Sequence, residues 1–153
     1  MTQSVLDKTQ LLNVDLDIRS KSDLQPLVDA IGKRMIVLYV GRENRHYKAR
    51  LELVGSHLPQ LRHPKSPETL ILEFCKVICR LPPDARKLWD GAKTRELDIG
   101  IESGKPYKYY WFALAPKAIK AALEMNAQIA VTVYGPMKKA KKSSKPRRAA
   151  SSA

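Results

Sequence analysis

A strand-helix-strand outline occurs twice in this chain, and that repetition limits its architecture more than any single segment does. Leu97-Asp98-Ile99 echoes Leu16-Asp17-Ile18, and Val131-Thr132-Val133-Tyr134-Gly135 echoes Val37-Leu38-Tyr39-Val40-Gly41, with a helical segment joining the strands of each pair. One such unit cannot bury its own apolar face, whereas two can bury each other's. Right-handed crossovers then place the first strands of the two copies side by side in the centre of a sheet.

Val14, Leu16 and Ile18 alternate with Asp15, Asp17 and Arg19, as a half-buried strand requires. Ser22 or Asp23 can cap a helix whose stripe is Leu24, Leu27, Val28 and Ile31, and Gly32 stands where a left-handed residue ends it. Met35 to Val40 is continuously apolar and rich in branched residues, which predicts an interior strand covered on both faces. A turn at Gly41-Arg42-Glu43-Asn44 leads to Tyr47, Ala49, Leu51 and Leu53, alternating with Lys48, Arg50 and Glu52. The two strands therefore form a hairpin, which adds one more strand at an edge.

Ser66-Pro67-Glu68 reads as a helix start, with Ser66 capping and Pro67 in the first helical position. Leu70, Ile71, Phe74, Cys75, Val77, Ile78 and Leu81 form its apolar stripe, and Pro82-Pro83 stops it. Asp84 to Gly91 predicts a further short helix that tucks Leu88 and Trp89 into the edge of the core. The second copy then begins, with Leu97, Ile99 and Ile101 inward and Glu96, Asp98 and Glu102 outward. It carries an inserted loop, Gly104 to Ala113, then a helix from Pro116 with Ile119, Ala122, Leu123 and Met125, then a closing strand from Gln128 to Tyr134.

The expected fold is α+β: a ferredoxin-like two-layer sandwich with a mostly antiparallel sheet of about five strands and three or four helices on one face. Residues 11–136 form the single domain and 137–153 a disordered basic tail, because that tail lacks the apolar surface needed to offset its ordering entropy.

Three stretches carry a family likeness. Arg95-Glu96-Leu97-Asp98-Ile99-Gly100-Ile101, Phe112-Ala113-Leu114-Ala115-Pro116 and Ala130-Val131-Thr132-Val133-Tyr134, together with the proline-terminated helix from Glu68 to Leu81, resemble the bacterial family catalogued as domain of unknown function 4279. The resemblance covers residues 12–136 and is strongest in the last third. It implies a small α/β fold of bacterial origin and supplies no catalytic residues.

At 153 residues the chain suits one domain, which at this size buries roughly 70% of the surface its unfolded form exposes. Met1 to Ser20 lacks a basic start followed by an apolar run, and apolar runs such as Met35 to Val40 are far short of a membrane span. The expectation is a soluble cytoplasmic protein with no membrane partner. Cys75 and Cys79, the only cysteines, read as small apolar side chains of a helix in a reducing compartment. The net charge is +13, and the tail holds seven of the 28 basic residues and none of the 15 acidic ones. Such a balance favours anionic partners.

No motif names a reaction. Gly100 and Gly104 do not follow a dinucleotide pattern, and no lysine-serine or lysine-threonine pair follows a glycine-rich run, so no cofactor is expected. Cys75 and Cys79 with His57 and His63 lack the spacing of a zinc site. Asp15, Asp17, Glu96 and Asp98 share one sheet face if the strands pair as expected. They could bind a hard cation or hold one carboxyl protonated for acid catalysis. The plainer reading is a solvated outer face with Arg19, Lys48 and Arg50 as partners. Acidic residues there exclude the aromatic stacking platform by which related sheets bind RNA.

The aromatic loop, with Tyr107, Tyr109, Tyr110, Trp111 and Phe112 among lysines, is the most distinctive candidate surface. Its rings either meet a partner or cap the core. The hairpin tip with Arg42 and Arg45 adds basic surface. Lys138, Lys139, Lys141, Lys142, Lys145, Arg147 and Arg148 could neutralise phosphates without reading sequence, or could simply keep the chain soluble. The leading expectation is a non-enzymatic module that binds another macromolecule, an unidentified protein first, through the aromatic loop and hairpin. The alternatives are a small hydrolase or transferase using the acidic face, and a nucleic-acid-associated protein binding through its tail.

Overall fold

The structure is a computed structural model that describes residues 9–56, 66–104 and 109–135. Its elements are β1 (Gln10–Ser20), α1 (Gln25–Ile31), a 3-10 turn (Gly32–Arg34), β2 (Met35–Glu43), β3 (His46–Leu53), α2 (Pro67–Ile78), α3 (Pro83–Asp90), β4 (Thr94–Glu102), α4 (Pro116–Glu124) and β5 (Gln128–Tyr134). The five strands form one mixed sheet in the order β2-β3-β1-β4-β5. All pairings are antiparallel except β4 with β5, which is parallel. Over the described residues the fold is therefore α+β with five strands and four helices.

The first strands of the two repeats do lie side by side. Leu16 of β1 is the register partner of Leu97 of β4, and both are fully buried. Side chains alternate along a strand, so one face of the sheet gathers Val14, Leu16, Ile18, Ala49, Leu51, Leu97 and Ile99. Leu27, Ile31, Leu70, Phe74, Ile78, Trp89 and Ala122 of the four helices join them in one core. Among the described residues the opposite face carries no helix.

Local chemistry accounts for most boundaries. The Ser66 hydroxyl accepts from Thr69 N–H at 3.2 Å, and Pro67 opens α2. Gly32 ends α1 at φ 62, a conformation costly to any residue with a Cβ. Asp23 accepts from Gln25 N–H at 2.9 Å just before α1. Trp89 is fully buried, its indole N–H donating to the Met125 carbonyl at 3.0 Å.

Two expectations are corrected. Met35 to Val40 is not interior: β3 inserts between β1 and β2 and leaves β2 at the edge, with Ile36, Val37, Leu38 and Tyr39 exposed. A continuous apolar run looks the same whether a second strand covers it or not. In α4 the residues that bury are Ala118, Ala121 and Ala122, whereas Ile119 and Leu123 face outward. Small residues allow α4 to lie close to the sheet and to α2, and the larger side chains are displaced to its far side.

Candidate functional site

The four acidic residues singled out from the sequence do share the uncovered face. Asp15 is the register partner of Asp98, and Asp17 of Glu96, while Glu52 on β3 lies opposite Asp15 and joins the group. Glu52 was not anticipated, although its place in the β3 alternation carried the signal.

Each of these carboxylates already holds a neighbour. Asp17 accepts from Arg50 in a forked arrangement, Nε to Oδ1 at 3.0 Å and Nη2 to Oδ2 at 2.6 Å. Such a pair is geometrically specific as well as charged. It keeps the Arg50 guanidinium more firmly protonated than usual. Thr132 donates to Asp98 at 2.7 Å, Asn13 to Asp15 at 3.1 Å, and Ser56 to Glu52 at 2.8 Å. Gln128 donates to Glu96 and Gln10 to Glu102. Of the expected basic partners, Arg50 is fully engaged and Lys48 approaches Glu43 at 3.8 Å, whereas Arg19 makes no ion pair among the described residues.

Two strand irregularities shape this face. The β1–β4 register shifts between Leu11 and Asn13, and the β2–β3 register shifts between Val37 and Tyr39. The extra residues, Leu12 and Leu38, line a depression of about 270 Å³ with Asp15, Glu52, Asp98, Gly100 and Tyr134. A bulge adds a residue to one strand and re-aims its side chain. Apolar groups consequently shade the carboxylates on a face that no helix covers among the described residues. Burial pushes the Asp15 carboxyl above its usual range, Arg50 opposes that shift, and the carboxylates of Glu52, Asp17 and Asp98 reinforce it. Among the described residues no group of three or more His, Cys, Asp and Glu side chains could hold a metal ion.

Towards the hairpin end the face turns basic. Arg19, Lys48 and Lys93, with Glu43 beside Lys48, line a depression of about 220 Å³, and Arg42 and Arg45 stand exposed at the tip. A broader hollow of about 510 Å³ mixes both signs, with Asp17, Glu96 and Asp98 beside Arg19, Lys48 and Arg50. It is a shallow, polar surface.

The aromatic loop divides its side chains between two tasks. Tyr109 and Trp111 are 91% and 75% exposed, whereas Phe112 and Leu114 pack against the core. Tyr110 sits between these extremes, its ring 6.1 Å from that of Phe112. Glu68 at the start of α2 fixes the loop's end, accepting from Ala115 N–H at 3.2 Å and pairing with Lys117 at 2.9 Å. The Lys117 hydrogen bond, helped by the Ala115 amide, holds the Glu68 carboxyl below its usual range. Tyr107 and the tail from Lys138 to Arg148 lie outside the described residues, as do His57 and His63.

The cysteines depart from their expected burial. Cys75 is half-buried and Cys79 exposed, their sulfurs 3.6 Å apart. Burial, with the Cys79 hydrogen bond adding to it, pushes the Cys75 thiol up to about 11, so it is a thiol rather than a nucleophilic thiolate at neutral pH. Arg95, which the sequence did not flag, organises a corner. It donates to the carbonyls of Trp89, Asp90, Ala92 and Asn126 and lies over the Trp89 ring, tying the ends of α3 and α4 to β4.

Among the described residues no helix is long and apolar enough to cross a membrane. Comparisons of the chain with protein-family models, with curated proteins and with solved structures found no match.

Proposed function

We propose that this protein is a non-enzymatic interaction module that engages a protein partner through the aromatic loop ahead of α4. The exposure of Tyr109 and Trp111 carries this reading, because Phe112 and Leu114 anchor the same segment and leave those two rings free of any core role. Aromatic rings of this kind bring large contact area at low entropy cost and dominate many interfaces. Arg42 and Arg45 at the hairpin tip supply further basic surface for an acidic partner. The acidic face does not favour the hydrolase or transferase alternative, because its carboxylates are committed to neighbouring donors and line shallow hollows rather than a deep pocket. A bacterial cytoplasmic setting and kinship with domain of unknown function 4279 belong to the same proposal.

The test replaces Tyr109 and Trp111 together by Ala and compares thermal unfolding and partner capture with the parent chain. The expected result is an unchanged melting temperature with capture lost. Capture that survives the double substitution sinks the reading, and a large fall in melting temperature assigns the rings to the core instead.

The basic depression at Arg19, Lys48 and Lys93 favours a second reading, weak and sequence-blind nucleic-acid binding shared with the tail. Duplex binding at several salt concentrations by the full chain and by a version ending at Met137 separates the two contributions. A tail-driven interaction gives a log-log salt slope of roughly −3 to −6 that truncation removes. Equal binding by both versions moves the contact to the folded domain.

A further inference from the structure

Among the described residues no strand pairs with the outer side of β5, which ends the sheet opposite β2. The Ser103 N–H donates to the Tyr134 carbonyl at 2.8 Å, so the backbone groups of Tyr134 point back toward β4. Because those groups alternate along a strand, the N–H and C=O of Ile129, Val131 and Val133 point to the open side. Their side chains share the helix-bearing face with their register partners Leu97, Ile99 and Ile101. Yet α4 does not cover them fully: Val131 is 52% and Val133 63% exposed, and on α4 itself Ile119 and Leu123 are 53% and 76% exposed.

Edge strands are ordinarily blunted by charge, proline or a bulge. None of these occurs in Gln128-Ile-Ala-Val-Thr-Val-Tyr134. The other edge differs, since β2 is interrupted by its bulge at Leu38 and ends in Arg42 and Glu43.

We propose that β5 pairs antiparallel with β5 of a second copy about a two-fold axis through Val131, giving a dimer with a continuous ten-stranded sheet. Three observations select a second copy as the occupant. First, the residues with outward backbone, 129, 131 and 133, are symmetric about 131, so Val131 meets its own equivalent and Ile129 meets Val133. Each such pair exchanges two N–H to carbonyl bonds. Second, these pairs are all β-branched on the helix side, the side-chain type that packs best across strands. Third, residues 128–134 carry no charged side chain, so pairing the strand with its own copy sets no like charges opposite one another. A stable interface takes about 800 Å² from each partner, and Ile119 and Leu123 extend the contact from the strand to α4. Pairing of β5 with β2 of another copy would be head-to-tail and open-ended, whereas β5 with β5 closes.

The experiment is sedimentation equilibrium of the full chain over a concentration series reaching about 100 μM, alongside Val131→Lys and, as the opposite-edge control, Val37→Lys. The parent and Val37→Lys chains should reach twice the monomer mass, and Val131→Lys should remain at the monomer mass. A second arm places a cysteine at the axis, Val131→Cys with Cys75→Ala and Cys79→Ser. Equivalent Cα atoms in a hydrogen-bonded pair lie about 5.5 Å apart, inside the disulfide range, so mild oxidation should give a covalent dimer, while Val37→Cys in that background should give none. A parent chain monomeric throughout, a dimer that survives Val131→Lys, or open-ended polymers abolished by Val37→Lys would each overturn the proposal. Should Val131→Lys fail to fold, the cross-linking arm decides alone.

Discussion

The units β1-α1-β2 and β4-α4-β5 share one outline, yet their helices bury different things. Leu27, Val28 and Ile31 face the core from α1, whereas α4 offers Ala118, Ala121 and Ala122 and turns Ile119 and Leu123 outward. The strands explain the difference. In the first unit β3 lies between β1 and β2, so α1 crosses over a floor two strand spacings wide, about 10 Å. In the second unit β4 and β5 are adjacent, and α4 lies beside α2 with Ala118 and Ala122 in the core cluster shared with Phe74. A helix over a wide floor needs long side chains to fill the space, and one wedged closely needs short ones. The repeat is one of pattern, and each copy's packing is set by the neighbours that the rest of the chain supplies.

The largest test of that comparison lies where the copies are equivalent. Leu16→Ala and Leu97→Ala should each cost about 2 to 5 kcal/mol in denaturant unfolding. Because the two residues are register partners, the double variant should cost less or more than the sum, departing from additivity by about 0.5 kcal/mol or more. Unequal single costs or strict additivity would break the equivalence.

Where the copies differ, substitutions should act in opposite senses. Leu27→Ala in α1 opens a cavity and should cost about 2 to 5 kcal/mol, whereas Ala122→Leu in α4 overpacks and should cost about 1 to 3 kcal/mol. A neutral or stabilising Ala122→Leu, read from the shift in denaturation midpoint, would show that α4 has room to spare and that packing does not distinguish the units.

The uncovered face between the units has a pH signature. Burial raises the Asp15 carboxyl, so the folded chain holds that proton more tightly than the unfolded one. Its stabilising contribution is therefore fully present below the ordinary aspartate value of about 3.9 and is lost as pH rises through the higher folded value. Asp15→Asn keeps an acceptor for Asn13 and removes the charge. It should raise the melting temperature at neutral pH and leave it unchanged near pH 3, and a lower melting temperature at neutral pH would mean that the Arg50 attraction outweighs burial.

The smallest effects belong to the helix ends. The first unit ends its helix with Gly32 at φ 62, the second with Asn126 at φ 53. Gly32→Ala should cost about 1 kcal/mol or more, while Asn126→Gly should change stability by a few tenths at most. Equal effects at the two positions would make the choice of residue incidental.

Strand alternation in β1, β3 and β4, the Ser66-Pro67 start of α2 and the pairing of Leu16 with Leu97 were all legible in the sequence, because each follows from side-chain period, local capping or repetition. The same period put Asp15, Asp17, Glu96 and Asp98 on one face. What β2 would have beside it was not legible, since an apolar run records a preference for burial and not the identity of its neighbour. Nor were the bulges that bring Leu12 and Leu38 over the carboxylates, which depend on register between segments distant in the chain. Arg95 and the outward turn of Ile119 and Leu123 belong to the same class. Their roles arise only when α2, α3, α4 and β4 occupy one corner, where carbonyls need a donor and space admits only alanine. Local chemistry thus determined the elements and their inward faces, and tertiary contact decided which edges stayed open, because burial is a property of neighbours.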